Sequence, residues 1–149
     1  MILYFGYGSN LDASQMRHRC PDSRVVRVGW LQDYRLEFTR YSTAWEGGVG
    51  DVVRHPGEQV WGQIYLLSQA DLDSLDEYEG YPRIYTRFTS PIETHDGRVE
   101  GVWVYEVVDK QGFVSPATGY LKVIQDAAEE LGFPDGYRSY LAAFRTPPR

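Results

Sequence analysis

Little in this chain can bind a soft metal or do redox chemistry. Cys20 is the only cysteine in 149 residues, so neither an internal disulfide nor a cysteine-built zinc site can form. A reducing, cytoplasmic setting suits such a chain. The three histidines, His18, His55 and His95, lie far apart and share no ligand spacing, so no metal and no cofactor is expected. No apolar run approaches the roughly 20 residues of a membrane-spanning helix. Met1 leads straight into Ile2, Leu3, Tyr4 and Phe5 with no basic segment, so no signal peptide is expected. Basic residues are scattered, and 15 Lys and Arg against 21 Asp and Glu leave a net charge of −6, which disfavours nucleic acid as a partner. Repeats, low-complexity tracts and linkers are absent, so residues 1–149 read as one domain.

Aromatic residues are plentiful. They make up 15% of the chain, 12 of them tyrosines, within an apolar fraction of 42% that can build a real core. A tyrosine has an apolar body and a polar tip, so it suits a core, a polar pocket or a homodimer interface.

The pattern alternates short strands with capped helices. Residues 2–7 form an apolar run that reads as a buried strand, broken at Gly8-Ser9-Asn10. Asp12 followed by Gln15 looks like a capping box opening a short helix that Pro21 closes. From 25 to 38, Val26, Val28, Trp30, Leu36 and Phe38 fall at even positions, predicting one long or bent strand. A hairpin is expected next, with strands 51–54 and 59–67 joined through His55-Pro56-Gly57-Glu58. Ser68 with Asp71 caps a helix that Gly80 and Pro82 end. Two strands, 83–93 and 98–108, flank Asp96-Gly97, a strong hairpin signal. Ser115-Pro116 reads as an N-cap and first-position proline. The helix behind it stripes Tyr120, Leu121, Ile124, Ala127, Ala128 and Leu131 on one face before Gly132 and Pro134. A last helix is expected near 136–144. Five to seven mostly antiparallel strands with three or four helices make an α+β domain, and closing the sheet into a barrel would remove its edges.

Two segments carry candidate chemistry. In Tyr7-Gly8-Ser9-Asn10-Leu11 the amides after Gly8 can form an anion-binding nest near a helix start, suited to a carboxylate. The plainer alternative is a strand-to-helix turn capped by Ser9 and Asn10. The second segment is an acidic helix end, with Asp71, Asp73, Asp76, Glu77 and Glu79 crowded together. Acids at a helix C-terminus cost roughly 0.3–1 kcal/mol, and such broken rules tend to mark functional sites. A buried carboxylate in that field holds its proton more tightly and becomes a useful acid or base near neutrality. The alternative is a solvated acidic face, and the pattern alone does not choose between Glu77 and Glu79.

Six segments in order resemble the γ-glutamyl cyclotransferases over nearly the whole length. Tyr4-Phe5-Gly6-Tyr7-Gly8-Ser9-Asn10-Leu11 is similar to the family's opening Y-F-x-Y-G-S-N-L. Leu31-Gln32-Asp33-Tyr34-Arg35-Leu36-Glu37-Phe38 resembles L-Q-D-F-x-L-x-F. Trp45-Glu46-Gly47-Gly48 and Gly57-Glu58-Gln59-Val60-Trp61-Gly62 resemble W-x-G-G and G-x-x-V-W-G. Leu75-Asp76-Glu77-Tyr78-Glu79-Gly80 resembles L-D-x-x-E-G. Ser115-Pro116, Tyr120, Gly132-Phe133-Pro134 and Tyr137 resemble the tail pattern S-P-x-x-Y followed by G-L-P-x-x-Y. Two positions depart from the pattern: Gly50 stands where alanine is usual, and Asp51 where threonine is frequent.

The resemblance implies a small barrel with flanking helices and selects Glu79 as the acid/base residue. It also implies that the Tyr7, Gly8, Ser9, Asn10 and Leu11 loop holds the substrate's glutamyl end, and that the pocket tyrosines are Tyr85, Tyr105 and Tyr120. The implied reaction closes a γ-glutamyl amide on its own α-amine, releasing 5-oxoproline and an amine or amino acid without metal or cofactor. Tyr81-Pro82-Arg83-Ile84-Tyr85-Thr86-Arg87 resembles a related branch acting on γ-glutamyl amines, while the tail points to γ-glutamyl amino acids. Two other readings stand beside this one. One is a non-catalytic binder of glutamate-like ligands; the other is amide hydrolysis, for which no G-x-S-x-G elbow or Cys–His signature is present. Cys20 reads as structural, and Trp30, Trp45, Trp61 and Trp103 as core or pocket wall.

Overall fold

The computed structural model describes residues 1–148. Five strands, β1 (Ile2–Gly6), β2 (Arg24–Ser42), β3 (Gly47–Leu67), β4 (Tyr85–Thr94) and β5 (Gly97–Val107), close into a barrel in the order β1-β3-β2-β4-β5. Neighbours are antiparallel except β1 and β5, which meet in parallel at Tyr4 and Trp103. Four helices flank it: α1 (Ala13–Arg19), α2 (Gln69–Glu79), α3 (Thr118–Glu130) and α4 (Asp135–Ala142). Among the described residues no helix is long and apolar enough to cross a membrane.

The long β2–β3 ladder differs from the expected hairpin. Residues 51–54 and 59–67 belong to one strand, because both pair with β2: Tyr34 meets Arg54, and Gln32 meets Gln59. Between those pairs β2 has one extra residue, Asp33, and β3 has four, 55–58. The Pro56-Gly57 pair therefore makes a protrusion rather than a reversal. Asp33 holds it, at φ 67°, by accepting the Gly57 amide at 2.9 Å. The irregularity also resets the side-chain alternation of β2. The inward residue before it is odd-numbered, Leu31, and those after it are even, Leu36 and Phe38, while Val26 stays exposed. The true β2–β3 reversal is the turn at residues 43–46.

Smaller shifts occur at element ends. Asp12 caps α1 through the Ser14 amide at 3.2 Å, while Gln15 sits beside the Ser9 carbonyl instead of closing a capping box. The β4–β5 turn is His95-Asp96, with Gly97 already paired to Thr94. Ser115-Pro116 does not start α3, since its N-cap is Ala117 and Ser115 instead gives its carbonyl to the Gly48 amide at 2.7 Å. The α3 stripe buries Tyr120, Leu121, Ile124, Ala127 and Ala128. Burying Leu121 and Ile124 is worth about 1.5–3 kcal/mol each, and it seats Tyr120 over the barrel's mouth.

Candidate active site

The loop after β1, the end of α2, and Tyr120 of α3 meet at that mouth. Tyr4, Tyr7, Gly8, Ser9, Asn10, Gly50, Glu79, Tyr85, Tyr105 and Tyr120 line an inner compartment of about 30 Å³. An outer compartment of about 350 Å³ shares Ser9, Glu79, Tyr85 and Tyr120 with it. All but one of the site residues implied by the resemblance thus surround one cavity. The exception is Leu11, which is buried outside the cavity and gives its amide to the Gly8 carbonyl at 3.0 Å. Leu11 anchors the loop.

The loop is a single 3₁₀ turn over Ser9–Leu11. The amides of Gly8, Ser9 and Asn10 take no main-chain carbonyl among the described residues. Gly8 is required for space rather than handedness. Its φ is −113°, and a Cβ there would overlap the Tyr120 hydroxyl. Asn10 is locked from three sides: its Nδ2 donates to Tyr4 Oη at 2.9 Å, its Oδ1 accepts from Arg19 Nη1 at 2.6 Å, and its carbonyl accepts from Tyr65 Oη at 2.7 Å.

The α2 sequence places Glu79 through both its ends. Ser68 and Asp71 form the expected capping box, and Gly80 closes the helix in the left-handed region at φ 69°. The five acids then separate. Asp71 is consumed by the cap, Asp73 and Glu77 face solvent, and Asp76 is claimed by neighbours. Arg87 grips Asp76 with two bonds, 2.9 and 3.0 Å, and Tyr105 Oη donates to it at 2.6 Å. Burial alone would raise the Asp76 pKa, but the Arg87 and Tyr105 hydrogen bonds and the Arg87 charge outweigh it and hold it below the usual value. Glu79 lines both compartments. Burial pushes its pKa up to about 7, opposed only by the charge of Arg19.

The tyrosines around Glu79 remain neutral. Burial raises the pKa of Tyr4, Tyr7, Tyr85, Tyr105 and Tyr120, and the Glu79 charge adds to the effect on each. Three have committed their protons. Tyr7 donates to the Tyr105 carbonyl at 2.8 Å, Tyr85 to the Gly50 carbonyl at 2.7 Å, and Tyr105 to Asp76. Tyr120 differs, because the Gly50 and Ser9 amides point at its oxygen and leave its proton for a ligand.

Three supporting groups carried no local sequence signal. Arg19 stacks 3.4 Å over the Tyr78 ring while bonding Asn10, and so ties the loop to α2. Arg87 fixes Asp76 from another strand. Asp51, fully buried, accepts from Thr39 Oγ1 at 2.7 Å, from the Val52 and Val107 amides at 2.9 Å, and from Lys110 Nζ at 2.9 Å. It thereby fixes Gly50 beneath Tyr120. Each acts on a group of another element; Arg87 falls in the Tyr81–Arg87 segment and Asp51 stands where threonine is frequent, but neither fact states the contact it makes. Among the described residues no three His, Cys, Asp or Glu side chains converge as a metal site needs.

Residues 4–122 match the family described as gamma-glutamyl cyclotransferase, AIG2-like. Gamma-glutamylcyclotransferase of Mus musculus is 32% identical over 147 residues, covering 95% of this chain and 78% of the relative. The Bos taurus protein of that name is 33% identical over 145 residues, covering 94% and 77%. A solved structure named gamma-glutamyl cyclotransferase superposes with a TM-score of 0.91 at 30% identity, covering 99% of this chain and 90% of that one. Matched along most of its length in both sequence and fold, the chain belongs to the γ-glutamyl cyclotransferase family.

Proposed function

We propose that this chain is a γ-glutamyl cyclotransferase in which Glu79 moves the proton and the Gly8 and Asn10 amides hold the substrate's α-carboxylate. The observation that carries the reading is a carboxyl with no hydrogen-bond or ion-pair partner among the described residues, set in a tyrosine-lined cavity where burial pushes its pKa up to about 7. An acid in that range accepts and returns a proton at neutral pH, typically worth ~10²–10⁴ in rate.

The reaction follows from these positions. Loop amides bind the α-carboxylate and bend the glutamyl chain, bringing its α-amine to the γ-carbonyl carbon. Such orientation is worth about 7–11 kcal/mol in favourable cases. Tyr7 and Tyr85, their protons spent on carbonyls, present lone pairs suited to the α-ammonium. The α-ammonium first gives one proton to solvent so that the nitrogen attacks as the neutral amine, and Glu79 takes a second proton from it as the new C–N bond forms. The uncommitted Tyr120 hydroxyl donates to the oxygen as it becomes negative. Glu79 then returns the proton to the leaving nitrogen as the old C–N bond breaks. The products are 5-oxoproline and a free amine or amino acid, with no change of oxidation state.

Incubating the purified chain with γ-glutamyl dipeptides and identifying products by mass spectrometry tests this directly. 5-Oxoproline with free amino acid is expected. Glutamate would mean hydrolysis, and binding without turnover would mean a non-catalytic ligand protein. We place the enzyme in a reducing, cytoplasmic compartment. Its one thiol, Cys20, is buried, donates to the Asp71 carbonyl at 3.6 Å, and is pushed up to about 12 by burial, so it makes a poor nucleophile.

A further inference from the structure

The inner and outer compartments differ in kind. The inner one holds tyrosine hydroxyls, loop amides and Glu79. The outer one is walled by Tyr41, Ala44, Trp45, Val49, Tyr78 and Ile84, a largely apolar and aromatic set. One cation stands among them. Arg40 lines the outer compartment, is half-buried, and has no ion-pair partner among the described residues. Arg27, Arg35, Arg87, Arg98 and Arg138 each have a carboxylate, and of the described arginines without one only Arg40 lines this compartment.

The placement of Arg40 is built into the barrel. β2 carries an extra residue between the Phe38–Gly50 and Arg40–Val49 pairs, and that bulge re-aims the strand just before Arg40. Thr39, the inserted residue, is held inside by its bond to Asp51 at 2.7 Å. Beyond Arg40 the turn at 43–46 is pinned by Trp45, whose ring meets Tyr120 edge-on at 5.2 Å. Arg40 therefore stands on a braced lip. The Tyr85 hydroxyl feels both the Glu79 and the Arg40 charge, so the two face the same stretch of cavity.

We infer that Arg40 determines leaving-group specificity: it binds a carboxylate on the departing amine, so this chain selects γ-glutamyl amino acids over γ-glutamyl amines lacking an acid. This rests on the cyclisation reading above. With the glutamyl end in the inner compartment, the leaving nitrogen must sit near Glu79 and its substituents must extend outward. There the apolar walls suit a side chain, and a guanidinium suits a carboxylate, which it binds through two parallel hydrogen bonds.

Two substrates that differ only in that carboxylate, γ-glutamyl-alanine and γ-glutamyl-ethylamine, separate the possibilities. The wild-type chain is expected to favour the alanine compound by about 10- to 100-fold in kcat/KM, mainly through KM, as a charge-assisted hydrogen bond supplies. In Arg40→Gln that ratio should fall towards one, and Arg40→Lys should restore part of it, with thermal melts confirming that both variants fold. An unchanged ratio in Arg40→Gln, or an equal loss on both substrates, overturns the assignment. If wild type converts neither compound, the cyclisation reading fails, and calorimetric titration of both into the Glu79→Gln protein still decides Arg40. A preference for the alanine compound that is lost when Arg40→Gln is added supports it; equal binding, none, or a preference that survives Arg40→Gln overturns it.

Discussion

Asp76 and Glu79 lie one helical turn apart on α2, yet their surroundings give them opposite chemistry. Around Asp76 the wall supplies a bidentate Arg87 and the Tyr105 hydroxyl, so the charged form is favoured. Around Glu79 the wall offers tyrosines and only the charge of Arg19, so desolvation dominates and the neutral form is favoured. A carboxylate fixed as an anion is a strut, holding Tyr105 and β4 against the helix. A carboxyl near pH 7 is a proton carrier. The same residue chemistry becomes structure or catalysis according to what the barrel places opposite it.

The comparison can be broken at either acid. Glu79→Gln removes the carrier, and turnover to 5-oxoproline should fall by ~10²–10⁴-fold while circular dichroism stays native. Near-wild-type turnover would erase the distinction between the two acids. Stability should respond with the opposite sign. Raised from 4.5 to about 7, Glu79 costs the fold nothing below pH 4.5, and its penalty grows until pH 7, where the folded state ionises too. Glu79→Gln should therefore be more stable than wild type above pH 7, by up to about 3 kcal/mol, with the gap closing below pH 4.5. Urea melts at pH 4 and pH 8 read this directly.

Breaking the strut should cost less and act differently. Arg87→Met leaves Asp76 partly buried with only Tyr105 as partner, and urea melts at pH 7 should show a loss of about 1–3 kcal/mol. Asp76 has a depressed pKa, so this loss should shrink as pH falls below 3.8; the effect is opposite in sign to that of Glu79→Gln, and both fade at low pH. The smallest effect belongs to Arg19→Met. It removes the one charge lowering the Glu79 pKa, so the acid limb of the kcat/KM profile should move to higher pH, with some rate lost as Asn10 loosens.

The α2 sequence states its own boundaries, and Ser68, Asp71 and Gly80 act as their residue types require. The β1 run and the α3 stripe were equally local and equally legible. Misreadings arose where pairing overrode local preference. Pro56-Gly57 has turn chemistry, yet the β2–β3 ladder continues past it because Asp33 holds the protrusion. Ser115-Pro116 has cap chemistry, yet its carbonyl is drawn to Gly48. The site shows the same division. Local pattern named the acidic helix end but did not separate Glu79 from Glu77; burial does, since Glu77 faces solvent. Resemblance supplied the loop and the tyrosines. Arg19, Arg87 and Asp51 act on other elements of the fold, so although Arg87 and Asp51 stood out in sequence, the contacts they make were not legible there.

A carbon-13 NMR titration of the side-chain carboxyls, with Glu79 identified by the signal lost in Glu79→Gln, measures the property on which the proton-carrier role depends. A midpoint near pH 7 for that signal, with the Asp76 signal titrating below the ordinary aspartate value, is the expected result. A Glu79 midpoint near 4.5, that of an ordinary solvated glutamate, would contradict the account.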